Sequence, residues 1–268
     1  MAIKALCGAA LAALLATAPA GATTIYDSIP NPLPPNLPSL GYEATSTAAF
    51  GDLIQFASGS RSLTSVDVTM SNWAKESTYE PLGTSTGYSV PLTLTLYNVD
   101  NSGAAPAVGT TIASRTIDPT ILWRPEATIS CGTGWLAANG NCYNGLAQNV
   151  AFDFSGVTVP DQIIFGLSFN TENYGANPTG TAGPYNSLNF GLATSGPSVG
   201  TEVTPGTLFW DTTYPGVTPA GVLSQNSGWS PYVPAIRFQT ANVPEPASFA
   251  ILGVGLVGLG ALRRRKPA

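Results

Sequence analysis

Histidine is missing from the sequence altogether, and that absence removes most familiar catalytic machinery. Without it there is no ordinary general base near neutral pH, no imidazole ligand for zinc and no Ser-His-Asp triad. Charge is scarce as well: Asp, Glu, Lys and Arg make up 9% of the residues, against about 25% in an average soluble domain. A surface with so little charge must be built from Thr, Ser, Asn, Gly and Tyr. Basic residues are rarest in the middle of the chain, where Arg61, Lys75, Arg115, Arg124 and Arg237 face fourteen acids between positions 23 and 242, a net charge of −9. Such a body does not bind nucleic acid by neutralising phosphates. It stays soluble by self-repulsion and attracts divalent cations.

The few remaining basic residues sit at the ends. Lys4 precedes an apolar stretch from Ala5 to Ala16, and Ala20-Gly21-Ala22 follows as a small-residue site. This is the pattern of a secretory signal peptide over 1–22, engaged by the secretion translocon and cut after Ala22. Cys7 lies inside it, with Lys4 where a lipoprotein signal needs an apolar residue, which argues against lipidation. Export leaves Cys131 and Cys142, in "CGTGWLAANGNC", in an oxidising compartment where the two are expected to pair.

What is present in quantity is proline, glycine and alternation. "IPNPLPPNLPSL" places prolines at 30, 32, 34, 35 and 38, which forbids a helix or a central strand and predicts an extended polyproline strap over 23–41. From 42 to 242 the period is two. Val66, Val68 and Met70 alternate with polar residues, as do Leu92, Leu94 and Leu96. Similar runs follow at Val150-Phe152-Phe154, Ile163-Phe165-Leu167-Phe169, Leu188-Phe190-Leu192 and Ile236-Phe238, separated by Gly- and Pro-rich turns. No stretch of the body has an amphipathic helical period. The expected fold is therefore all-β, an antiparallel β-sandwich of jelly-roll-like or immunoglobulin-like type.

Candidate chemistry is thin. "GTSTG" (Gly83 to Gly87) has the G-x-S-x-G spacing of a nucleophile elbow, but a strand follows it and no histidine can partner Ser85, so a turn is expected. A Ser-Lys dyad of Ser85 with Lys75 has nothing in the sequence that places the two together, so paired carboxylates are the catalytic device left with ordinary weight, and Asp153, Asp161, Glu172 and Asp211 are the acids placed to supply a glycosidase pair. Trp123, Trp135, Trp210 and Trp229 fall in loops or at strand ends. Flat rings beside Asn and Asp suit sugar faces and equally suit the capping of a sandwich core. Calcium is the one metal that the composition leaves open, with oxygen-rich turns at Asn98 to Gly103 ("NVDNSG") and Asn170 to Asn173 ("NTEN"). Neither turn has a calcium-loop spacing, and no metal site is assigned.

The C-terminal stretch 243–268 is tripartite. Val243-Pro244-Glu245-Pro246 comes first, an apolar run begins at Ala247 and ends at Leu262, and Arg263, Arg264, Arg265 and Lys266 follow. The "GVGLVG" within the run lacks the preceding strand and the distant acid of a dinucleotide site. As a helix the run spans roughly 24 Å, short of a bilayer core of about 30 Å, and the basic cluster would stay on the cytoplasmic side. The whole tail resembles the PEP-CTERM sorting signal of Gram-negative bacteria, in order and in spacing. The resemblance covers 243–266 alone. It implies recognition of Pro244, Glu245 and Pro246 by a membrane protease-transpeptidase, the exosortase, and a short hydrophobic helix that anchors the chain in the inner membrane only transiently. A similar tail accompanies some ice-binding domains, but the Thr93/Thr95 face is too short for an ice-binding array.

These readings converge on an exported protein with its body outside the cytoplasm, bound for the cell surface or the extracellular matrix. The leading expectation is a non-enzymatic structural or adhesive sandwich without a cofactor. A glycan-binding module that holds extracellular polysaccharide on its loop aromatics is the alternative, and a secreted carbohydrate-active hydrolase with a carboxylate pair is the third.

Overall fold

The runs of period two become strands, and the long strands assemble into two antiparallel sheets that face each other, with two short two-stranded ribbons besides. A computed structural model describes residues 22–79, 86–215 and 221–241. The signal segment before residue 22, Ser85, the sorting motif at 244–246, the apolar run and the basic cluster lie outside the described residues. In chain order the strands are β1 (Ala22–Asp27), β2 (Ser39–Gly41), β3 (Thr47–Gln55), β4 (Leu63–Asn72), β5 (Gly87–Ser89), β6 (Leu92–Asp100), β7 (Ala107–Ile117), β8 (Thr120–Leu122) and β9 (Trp135–Leu136). They continue with β10 (Cys142–Tyr143), β11 (Leu146–Asp153), β12 (Gln162–Phe169), β13 (Leu188–Ala193), β14 (Thr201–Glu202), β15 (Thr207–Thr212), β16 (Ser224–Ser227), β17 (Val233–Pro234) and β18 (Ile236–Ala241). The first sheet has the order β1-β18-β4-β13-β17, with β11 also on β4 and β2 also on β13. The second has the order β16-β15-β3-β12-β6-β7, with β14 also on β3. Successive long strands mostly cross between sheets, so each layer is built from segments far apart in the chain.

The hydrophobic layer between the sheets is the one that the alternation predicts. Val66, Val68 and Met70 on β4, Leu92, Leu94 and Leu96 on β6, and Phe165 and Leu167 on β12 are all fully buried. Phe190 on β13 and Phe238 on β18 join them in the same cluster. Each such side chain contributes about 1.5–3 kcal/mol by leaving water.

Four strands are buried on both faces over at least five consecutive residues, which the period-two pattern of a half-wet strand does not predict: all six residues of β13 are buried, as are five in a row on each of β3, β4 and β12. The reason on the first sheet is the proline-rich segment. It crosses the outer face and is pinned there by Ala147 N–H to Pro35 O at 2.8 Å and Leu192 N–H to Pro38 O at 2.7 Å. Its Ile29 and Leu37 pack on Ala235. On the second sheet, Leu53, Ile164 and Phe209 form an outer cluster covered in part by Leu223 and Tyr97. Residues 22–241 thus make one compact unit, and its first and last residues meet, Ala22 lying opposite Ala241 in the β1–β18 pair.

Candidate functional site

The four tryptophans expected on loops do not form one surface. Trp123 is only 9% exposed, packed in the core with Tyr88 at 4.9 Å and Tyr79 at 6.3 Å between ring centroids. Trp210 is 7% exposed; its Nε1–H donates to Thr47 Oγ1 at 2.7 Å and its ring meets Phe50 edge-on. Trp229 is half-buried against Trp210, at 5.3 Å, and donates to Asn226 Oδ1 at 2.7 Å. The rings of Trp123 and Trp210 are therefore committed to packing. Of this end cluster, Tyr214 reaches solvent, 46% exposed and stacked on Trp210.

The ring that does face solvent is Trp73, which the sequence pattern does not single out. It follows the last residue of β4 and is 43% exposed. Its underside rests on Gly145, where a Cβ would lie 2.6 Å from both Cδ1 and Nε1 of the indole, so only glycine fits beneath it. Its Nε1–H donates to Ser71 Oγ at 3.1 Å, and Ser71 Oγ in turn donates to Asn36 Oδ1 at 2.7 Å on the strap. The ring is thereby held at its nitrogen and backed by Gly145 while 43% of the residue stays exposed.

The disulfide loop completes this platform. Cys131 and Cys142 are bonded, with their Cα atoms 5.5 Å apart. Between them the chain makes the two-stranded ribbon β9–β10, in which Trp135 lies opposite Tyr143 with ring centroids 5.9 Å apart. Trp135 Nε1–H donates to Gly145 O at 2.9 Å, so both tryptophans address the same glycine from different sides. Arg124 ties the loop to β4, donating from Nε to Trp73 O and from Nη2 to Thr133 O, each at 3.0 Å. Trp73, Asn36 and Trp135 thus gather around Gly145, with Tyr143 beside Trp135 and Ser71 fully buried beneath them.

The acids proposed for a carboxylate pair are taken up singly. Asp153 Oδ1 accepts Ser155 N–H at 2.8 Å, Asp161 pairs with Arg61 at 2.8 Å, Glu172 Oε2 accepts Asn186 Nδ2–H at 2.9 Å, and Asp211 Oδ1 accepts Gly221 N–H at 2.9 Å. In the two oxygen-rich turns, Asp100 Oδ1 accepts Ser102 N–H at 2.9 Å, while Asn170 Oδ1 accepts Asn177 N–H at 2.9 Å and Asn173 Nδ2–H donates to Glu43 Oε1 at 2.6 Å. Among the described residues no group of three or more Cys, Asp or Glu side chains is placed to hold a metal ion.

One acid is out of place. Asp52, on β3 between the core residues Phe50 and Ile54, is fully buried, and its carboxyl is pushed well above the usual carboxylate range by desolvation and then by the nearby Glu202. Tyr26 on β1 is also fully buried, and burial, followed by the nearby Asp52, Glu202 and Asp27, drives its phenol upward against an opposing contact from Ser28.

Among the described residues no helix is long and apolar enough to cross a membrane. No curated protein and no solved structure matches the chain. A family model described as the PEP-CTERM protein-sorting motif matches residues 242–266, and with it the chain carries the signal of an exported protein anchored transiently by its tail and processed by an exosortase-type enzyme.

Proposed function

We propose that the chain delivers a non-enzymatic, structural and adhesive β-sandwich to the cell surface or extracellular matrix, where it holds extracellular polysaccharide on the platform around Trp73. The sorting motif supplies the address. The observation that supports the adhesive reading is the immobilised indole: a solvent-facing aromatic ring, backed by Gly145 and locked at its nitrogen by Ser71. A free ring on a surface loses side-chain entropy when it binds, whereas one already held at its nitrogen and backed by Gly145 loses less. Sugar rings present C–H faces that stack on such a plane, and their hydroxyls meet amides such as Asn36. The low charge content of the chain as a whole fits a neutral polymer better than an ionic one.

The test is retention of the exported chain on immobilised neutral polysaccharides, compared with Trp73→Ala. Loss of the stacking face should weaken retention about tenfold, the equivalent of about 1.4 kcal/mol, measured at a temperature where both chains are fully folded. Retention that is absent in the parent, or unchanged in Trp73→Ala, overturns the polysaccharide reading and leaves export and processing untouched.

A further inference from the structure

Asp52, Tyr26 and Glu202 converge at one margin of the sandwich, and nothing in the hydrogen-bond or ion-pair pattern explains why. Phe50 and Ile54 both point into the layer between the sheets, so Asp52, midway between them on β3, points there too. Glu202 lies opposite Ile54 in the β14–β3 pair and so shares that face, one step along the strand from Asp52. Tyr26 arrives from the facing sheet. Its ring lies on Gly200, two residues before Glu202, where a Cβ would be 2.7 Å from Cδ2; the residue also has φ +78, so glycine is required twice over. Asp27 N–H to Val199 O at 3.0 Å locks the two segments side by side.

The polar atoms brought together this way are left over. Asp52 Oδ1 accepts Leu53 N–H at 2.7 Å, but Asp52 Oδ2 and Tyr26 Oη are both buried with no hydrogen-bond partner. Glu202 uses Oε1 on Gly206 N–H at 3.1 Å. No base neutralises the two acids: among the described residues Arg61 is paired with Asp161, and Arg237 with Asp27 and Asp67. Protonating Asp52 removes its charge but leaves its Oδ2 and the Tyr26 phenol stranded, and a stranded buried group is costly. A single oxygen-seeking cation would satisfy all three groups at once and cancel the acids' charge.

We infer that Asp52 Oδ2, Tyr26 Oη and the free oxygen of Glu202 are the protein ligands of a calcium ion that bridges the two sheets. Calcium accepts irregular sets of six to eight oxygens and shares its shell with water, whereas magnesium demands a near-ideal octahedron. Glu202, half-buried, is the opening through which ion and water enter. The site is separate from the Trp73 platform and stands or falls without it.

Terbium, which replaces calcium and emits when a nearby tyrosine is excited, is the probe. The full exported chain, stripped with EGTA, should give sensitised terbium emission that added calcium displaces, and calcium a hundredfold above its Kd should raise the melting temperature by about 5–10 °C. Glu202→Gln, at the rim, keeps the fold and should lose both signals, as should Asp52→Asn. Tyr26→Phe should lose most of the emission and keep a reduced thermal response. If calcium changes neither signal in the parent chain, or acts equally on Glu202→Gln, the site does not exist. If Asp52→Asn raises the melting temperature in EGTA at neutral pH and calcium has no effect on the parent, Asp52 is a buried protonated carboxyl and the inference is overturned.

Discussion

Replacing Asn72 by alanine tests whether the platform is held from beneath. Asn72 closes β4, is 2% exposed and uses its whole amide. Its Nδ2 donates to Leu122 O at 2.7 Å and Ala74 O at 3.3 Å, and its Oδ1 accepts Ala74 N–H at 3.0 Å and Tyr88 Oη–H at 2.9 Å. Burial keeps the Tyr88 phenol well above its ordinary value, so it remains a donor at every pH at which the protein is handled. Alanine strands Leu122 O and Ala74 N–H outright, while Tyr88 retains a longer bond to Pro184 O at 3.3 Å. Two stranded groups at about 1–3 kcal/mol each give a loss of about 2–6 kcal/mol, a large part of the 5–15 kcal/mol that keeps a typical domain folded. Urea unfolding followed by tryptophan fluorescence measures it, and a double-mutant cycle with Tyr88→Phe should return a coupling of about 0.5–3 kcal/mol. A loss under about 1 kcal/mol, or strict additivity with Tyr88→Phe, would show that the network is not what fixes the end of β4.

Other perturbations have equally definite outcomes. Removing the disulfide with Cys131→Ser and Cys142→Ser, whose separation is 11 residues, should cost about 3 kcal/mol in the chain-entropy model, seen as faster proteolysis between Thr128 and Gly145. The carboxyls of Asp52, Glu202 and Asp211 are all raised in the fold, each chiefly by desolvation. Their contribution is therefore full below the ordinary carboxylate range and is lost as pH rises through the raised values, so in EGTA the melting temperature should climb from pH 7 to pH 5. Asp52→Asn should flatten that climb, and an unchanged slope refutes the assignment. In the tail, Pro244→Ala with Glu245→Ala should leave Arg263 to Lys266 on the exported chain, read by intact mass in a strain that has the processing enzyme; loss of those residues despite the change would refute the role of the motif.

The inter-sheet core was legible because alternation is a local signal. Residues such as Leu94, Phe165 and Phe238 face inward wherever their strands end up, and the pattern needs no partner to be read. What covers the opposite face is not local. Burial of β13 on both sides depends on prolines about 150 positions earlier, and exposure of Trp73 depends on a glycine at 145. A tryptophan after "TMSN" reads as the end of a core strand, whereas Trp123 and Trp210, in turn-rich surroundings, read equally as sugar platforms or as caps of the core, and only the packing decides between the two. Asp52 had a signal of its own: "AFGDLIQF" sets an acid at the inward position of an apolar stretch. The glycine and the acid together broke the alternation that would have identified the strand.

The tail leaves the body at Ala241, next to the end of β18 that pairs with Leu63, whereas Trp73 lies beyond the other end of β4, ten residues away along the same sheet. A tether beyond Ala241 and a polymer held at Trp73 would thus pull on points about 30 Å apart along one strand direction. Tension between them runs along the strands and across every rung of the β18–β4 ladder at once, so the rungs share the load in shear instead of opening one after another. A module built this way resists pulling best along the line that joins what it is fastened to and what it grips.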